Sequence, residues 1–231
     1  MKSSLTFPRL LSGSQDGLIR ILHLRNQKVL SEVLPTGKEG HHHAPVSTMI
    51  MDYRVCRLYT GDKSGCIVIW NSRKCAQVGF TYSILRRLYF ADFHGKTITH
   101  LSYNYQNRGN LLISGSPGGI VRKFNLYTQE LDLLPLSITS KIEAGNKHSP
   151  TRSIYSPDGK YVVICDQGLH CFENGSYSWI ASVMNESQFN LGAFEWCKSA
   201  HVLSVANPAS NYVVIFYPSQ FDRNCLNFES E

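Results

Sequence analysis

The chain has 231 residues, 42% hydrophobic and 17% charged. That composition excludes a disordered polymer and leaves room for one or two domains with a sizeable core. The formal net charge is +6, yet no run of five or more Lys or Arg occurs, which excludes a polybasic tail.

No 18-residue apolar stretch is present to span a membrane as a helix. The opening MKSSLTFPRLLSGS lacks the apolar core of a secretory signal. Seven cysteines stand at Cys56, Cys66, Cys75, Cys165, Cys171, Cys197 and Cys225. The number is odd and none forms Cys-x-x-Cys, so free thiols in a reducing compartment are expected, in cytoplasm or nucleus.

In chain order, the first unit (1–38) offers a short SLTF, then LLSGS, a turn, LIRIL and the more polar QKVLSEVL. The second (39–92) reads APVSTMIMD, LYTGD, a turn, CIVIW and an outer strand at KCAQVGFT. YSILRRLYFADF follows it and reads as an insertion beyond the usual unit length. The third (93–145) reads KTITHLSYN, LLISGS, a turn, IVRKF and QELDLLPL. The fourth (146–187) reads PTRSIYS, the tight-turn signal SPDG, two further strands and YSWIASVM. The fifth (188–218) is weaker: QFNLGAFEW, then HVLSVANPASNYVVIFYP; 219–231 is a tail. Aligned on the turn glycines Gly17, Gly65, Gly119 and Gly168, the steps are 48, 54 and 49 residues. β-branched and aromatic runs of four to six residues fill these units, and no sustained 3.6-residue period appears. A four-stranded unit at this period predicts an all-β protein, a β-propeller in which each unit is one blade.

LLSGSQDGLIRIL, LYTGDKSGCIVIWN and LLISGSPGGIVRKFNL resemble the second and third strands of the WD-repeat family, over roughly residues 5 to 218. Leu22, Trp70 and Phe124 stand at the family's Trp position, and His23, Asn71 and Asn125 at the Asp of its name dipeptide. His42, His94 and His148 precede inner strands at the spacing of its loop His. The resemblance implies a buried network of Trp, strand Ser/Thr, loop His and turn Asp within a blade. The second unit supplies Trp70, Thr60 and His42, but Ser64 stands at the Asp position. The third has His94 and Ser114, with Gly118 at that position; the first has Ser12 and Asp16 but Leu22. No unit is expected to keep the whole set, so strand packing is expected to hold the blades. Family rings usually have seven blades, so five units imply part of a longer ring; a five-unit ring and a ring with unrecognised blades are the alternatives.

Few residue patterns in the chain point to chemistry. Adjacent residues of an extended HHH at 41–43 point opposite ways, which suits one metal poorly. One of them is expected to be the repeat's loop His and the others to face solvent. Cys165 and Cys171 flank His170 at a spacing uncommon for zinc, in a stretch that reads as a hairpin. GSPGG at 115–119 is followed by a strand rather than a helix, so it is no phosphate loop. No Gly-x-Ser-x-Gly elbow occurs. No catalytic residue, metal or cofactor is expected.

The expected function is a non-enzymatic protein–protein interaction scaffold or adaptor, its partners other proteins, with no direct nucleic-acid contact and no membrane insertion. Candidate contact residues are Arg86, Arg87, Tyr89 and Phe90, with Tyr53, Tyr82, Tyr103 and Tyr105 as further exposed aromatics. VIWNSR at 68–73 resembles the Trp-Asp-x-Arg box of receptors that dock on cullin-4 ubiquitin ligases, Trp70 and Arg73 matching and Asn71 replacing the acid. That resemblance implies a substrate-receptor alternative acting through Arg73. The net charge suggests another, a subunit of an RNA-processing or chromatin assembly.

Overall fold

The computed structural model describes residues 9–25, 28–33, 42–52, 55–75, 79–104, 106, 109–116, 120–133, 152–165, 168–176, 179–184, 193–197, 202–207 and 212–216. They form eighteen strands in five antiparallel sheets, each a meander in which chain neighbours pair. Sheet 1 holds β1 (Arg9–Gly13), β2 (Ile19–Arg25) and β3 (Lys28–Val33). Sheet 2 holds β4 (Val46–Asp52), β5 (Arg57–Asp62), β6 (Cys66–Cys75) and β7 (Gly79–Tyr89). Sheet 3 holds β8 (Thr97–Tyr103), β9 (Asn110–Ser116), β10 (Ile120–Asn125) and β11 (Leu131–Leu133). Sheet 4 holds β12 (Arg152–Tyr155), β13 (Tyr161–Cys165), β14 (Gly168–Glu173) and β15 (Trp179–Met184). Sheet 5 holds β16 (Ala193–Cys197), β17 (Val202–Asn207) and β18 (Tyr212–Phe216). Among the described residues the one helix is a 3-10 turn at Ala91–Phe93, and no helix is long and apolar enough to cross a membrane.

The chain divides into two compact units, Met1–Ile98 and Thr99–Glu231. In the first, side chains that alternate inward from β2 and β6 interleave: Ile19 and Ile21 meet Leu58, Cys66, Val68, Trp70 and Tyr82. In the second, sheet 4 buries both faces. Val162, Ile164 and Phe172 pack with Leu112 and Val121 of sheet 3. Val163, Cys165, Leu169 and Cys171 pack with Trp196 and Leu203 of sheet 5. The period-two alternation of VVICDQGLHCF therefore serves two cores at once, which is why it reads as a nearly continuous apolar run.

Two turns show how the sequence closes its hairpins. SPDG joins β12 to β13: Ser156 Oγ donates to Asp158 Oδ1 (2.6 Å), Gly159 N donates to Ser156 O (2.9 Å), and Gly159 has φ +70°. At the β5–β6 turn, Gly65 has φ +94°, and a Cβ there would lie 1.9 Å from the Phe93 carbonyl oxygen. Only glycine fits that combination of positive φ and close backbone approach.

Sheet 2 departs from the sequence reading. KCAQVGFT is not the outer strand: β6 runs on to Cys75, and the outer strand β7 begins at Gly79. YSILRRLY belongs to that strand rather than to an insertion. Pairing runs from Cys66↔Tyr89 to Cys75↔Gly79, with a bulge that makes Leu85 the additional residue. The β-branched run CIVIW continues into residues that still pair, so β6 outlasts β5, whose register ends at Arg57↔Asn71.

Candidate functional site

A buried polar constellation lies in sheet 2. β5 ends at Thr60, Gly61 and Asp62, β6 carries Trp70, and the segment before β4 brings in His42. Trp70 Nε1–H donates to Thr60 Oγ1 at 2.9 Å. His42 Nε2 lies 2.8 Å from Thr60 Oγ1, and His42 Nδ1 lies 2.8 Å from Asp62 Oδ2. A carboxylate only accepts, so Nδ1 carries the proton, and in a neutral ring Nε2 accepts from the Thr60 hydroxyl. The Asp62 Oδ1 atom closes the turn, accepting from Ser64 N (2.9 Å), Ser64 Oγ (2.8 Å) and Cys66 N (2.9 Å).

All four side chains are buried: Thr60, Asp62 and Trp70 have no exposure and His42 has 7%. Burial alone would raise the Asp62 pKa, but hydrogen bonds from His42, Cys66 N and Ser64 outweigh it and hold the carboxyl below its ordinary value. The Cys66 thiol is pushed up, first by burial.

This network corrects the expectation that no unit keeps the full set. Ser64 does stand at the aligned position, but Asp62, two residues earlier, supplies the acid. It sits at the end of β5, where its carboxylate reaches the loop histidine with one oxygen and the turn amides with the other. The sequence signal was an Asp directly after the strand glycine, with Ser two residues on, the pattern of a side chain that closes its own turn.

A hydroxyl, an imidazole and a carboxylate in line invite comparison with a hydrolytic triad. Here the Thr60 oxygen also receives the indole N–H and has no solvent access, so it offers no reacting atom to a substrate. Single ligand atoms of His42, Asp62 and Cys66 lie within 4.8 Å of one another. Both His42 ring nitrogens are already used, so an ion could bind only by breaking the His42–Asp62 or His42–Thr60 bond. His43, next in the HHH run, is exposed, and His41 lies outside the described residues.

The corresponding positions in the other sheets are built differently. In sheet 1, Gly17 has φ +77°, and the turn acid Asp16 is exposed and pairs with Arg20 and Ser14. Its carboxyl is held well below the carboxylate range, chiefly by Arg20. The side chain of Leu22 lies outside the described ones. In sheet 3, Phe124 is 2% exposed at the Trp position, and the Ser114 hydroxyl meets Ser153 of sheet 4 at 2.6 Å. His94 enters no network among the described residues: it is exposed at the end of the 3-10 turn, and its neighbour Phe93 is the buried residue. The chain turns at Ala91–Phe93 and tucks the phenyl ring, rather than the imidazole, inward. Asn125 closes the β10–β11 turn, accepting from Tyr127 N at 2.9 Å and Thr128 N at 3.2 Å. Gly168 opens β14 opposite Met184. Gly118, Gly119 and His148 lie outside the described residues.

Cys165 and Cys171 are buried in one apolar cluster. His170 is the strand neighbour of Cys171, so it projects to the opposite face of sheet 4.

The candidate contact residues lie on or beside β7. Arg86 is exposed, Arg87 is half-buried, and Tyr89 is 64% exposed. Its hydroxyl engages the Cys66 thiol, the chief cause of its raised pKa. Phe90 is half-buried, with its ring 6.4 Å from that of Phe93 in an edge-on arrangement. Tyr82 and Tyr103 are core residues, 7% and 2% exposed, because strand alternation turns them inward; this corrects their reading as exposed aromatics. Tyr53 and Tyr105 lie outside the described residues. Arg73 stands within the β6–β7 ladder opposite Thr81, and β6 continues two residues past it.

No family model matches the chain. No curated protein matches it. Among solved structures, the Cps50 (Swd1) β-propeller domain of Myceliophteria thermophila is similar, with a TM-score of 0.64 at 15% sequence identity. The likeness covers 86% of this chain and 58% of that one, so the chain spans under two thirds of that domain. Successive antiparallel meanders and this likeness together make the fold a β-propeller.

Proposed function

We propose that the chain is a non-enzymatic scaffold or adaptor that binds other proteins, in cytoplasm or nucleus, and that its contact surface includes β7. The observation that carries this reading is the contrast between the two polar regions of sheet 2. Its catalytic-looking constellation is sealed and internally satisfied, whereas its outer strand presents Leu85, Arg86 and Tyr89 to solvent. Exposed aromatic and arginine side chains are the types that dominate protein interfaces. The WD-repeat resemblance in the sequence supports the same reading, and so does the β-propeller fold, which carries partners on its loops and outer surfaces. The five repeat units are read as blades of a longer ring.

The test is capture of the tagged chain from its source cells, with mass spectrometry of what is retained. Stoichiometric proteins that are lost with Arg86→Glu/Arg87→Glu support the reading; an intact chain with no partner overturns it. The cullin-4 receptor alternative rests on Trp70–Arg73. Trp70 is committed to Thr60, which leaves Asn71 and Arg73 to carry any docking. Adaptor binding that survives Arg73→Ala ends that alternative. Binding to RNA that disappears at moderate salt and shows no sequence preference would leave the nucleic-acid alternative as bare charge attraction.

A further inference from the structure

We propose that β7 takes an extended, acidic segment of a partner protein as an added strand at its outer rim. The proposal rests on the scaffold reading and gives that surface a binding mode and a chemical class of partner.

β7 ends the order of sheet 2, so among the described strands it has a ladder partner, β6, on one side only. The outer strands of the other four-stranded sheets do likewise, with three residues of β11 and six of β15 among the described residues, against eleven of β7. Natural edge strands are usually short or blunted by proline or inward-pointing charge, because an open rim of N–H and C=O groups invites another strand. β7 contains no proline, and its one irregularity is the bulge that turns Leu85 outward, 48% exposed. Eleven residues extend about 37 Å, ample for an added strand of ordinary length.

Charge selects the occupant. Between Asp62 and Asp92 the chain carries Lys63, Arg73, Lys74, Arg86 and Arg87 and no acid. The stretch between those two acids is therefore wholly basic, with five cations. Arg86 and Arg87 are adjacent, opposite Ile69 and Val68, and so project to the two faces of the sheet. An added strand would meet a cation on each face, with Leu85 and Tyr89 as apolar contacts beside them. Main-chain bonds would supply affinity and the paired charges the selectivity.

The probe is a labelled decapeptide, (Val-Glu)5, titrated against the full chain by fluorescence anisotropy. Its comparators are (Val-Lys)5, the same (Val-Glu)5 sequence N-methylated at every residue, and a single-stranded oligonucleotide of equal charge. Saturable binding of (Val-Glu)5, at least tenfold weaker for each comparator and tenfold weaker for the Arg86→Glu/Arg87→Glu chain, supports the proposal. Urea unfolding of that variant confirms that it folds. Absence of binding at millimolar peptide overturns the proposal, as does equal binding of the N-methylated peptide, which lacks ladder donors. Equal binding of the oligonucleotide also overturns it. If the peptide fails while cellular partners are still captured, this mode is wrong and the scaffold reading stands.

Discussion

Sheets 2 and 3 start from the same repeat and solve the same problem with different chemistry. At the Trp position sheet 2 has Trp70, whose indole N–H must be satisfied when buried, and a chain of three partners satisfies it. Sheet 3 has Phe124, which needs no partner, and the strand hydroxyl of Ser114 turns to Ser153 on the next sheet instead. One aromatic substitution thus makes the histidine and acid dispensable, and His94 is accordingly exposed. A buried polar network costs little only when every member is satisfied, so losing one member favours losing the rest.

The comparison can be broken most severely at the turn beside the network. Gly65→Ala places a Cβ against the Phe93 carbonyl at positive φ; we expect a loss above about 3 kcal/mol in urea unfolding, since both steric overlap and backbone strain apply. Gly95→Ala is the control, with φ +69° but nothing within 4 Å of the added atom. It should cost about 1 kcal/mol, the backbone contribution alone.

Next in size is removal of the acid. Asp62→Ala strips His42 Nδ1 of its partner and the β5–β6 turn of three accepted hydrogen bonds, and should cost about 3 kcal/mol. The parallel change in sheet 3, Ser114→Ala, removes one neutral hydrogen bond and should cost about 1 kcal/mol. Equal losses at the two sites would erase the distinction between the sheets.

The smallest effects are in pH dependence. Asp62 is lowered below its ordinary 3.8, so the stability it contributes is full above that value and fades as pH falls through the lower folded value. His100, on β8, is lowered from 6.5 to about 4 by burial and by the charge of Arg152. The unfolded imidazole therefore takes its proton first, and stability declines as pH drops from about 6.5 towards about 4. Unfolding midpoints measured across that window should lose part of their slope in His100→Gln, and an unchanged slope would remove His100 as the cause.

Much of the fold was legible because strands with one or two buried faces write their alternation into the sequence. CIVIW reads as the first half of β6 and LLISGS as nearly all of β9. The outer strand of sheet 2 is misplaced in the sequence reading because KCAQVGFT reads as one strand, although its two ends pair with each other, Lys74 opposite Phe80 and Cys75 opposite Gly79. The network was three-quarters legible. Trp70, Thr60 and His42 were implied by the WD-repeat resemblance, but the same alignment on Gly65 assigned the acid's place to Ser64. Only the geometry shows that a carboxylate two residues earlier reaches both the turn amides and the imidazole. Position alone also misplaced His94 by one residue, since nothing local decides whether Phe93 or His94 turns inward; the apolar side chain did.

The claim that the sheet 2 constellation is structural, rather than a site of chemistry, meets its most direct test in a double-mutant cycle. His42→Ala, Asp62→Ala and the double variant would be compared by urea unfolding. The account predicts that each single change is strongly destabilising and that the pair couples by more than about 1 kcal/mol, as members of one buried network do. Coupling near zero, with unfolding midpoints close to that of the unaltered chain, would contradict it.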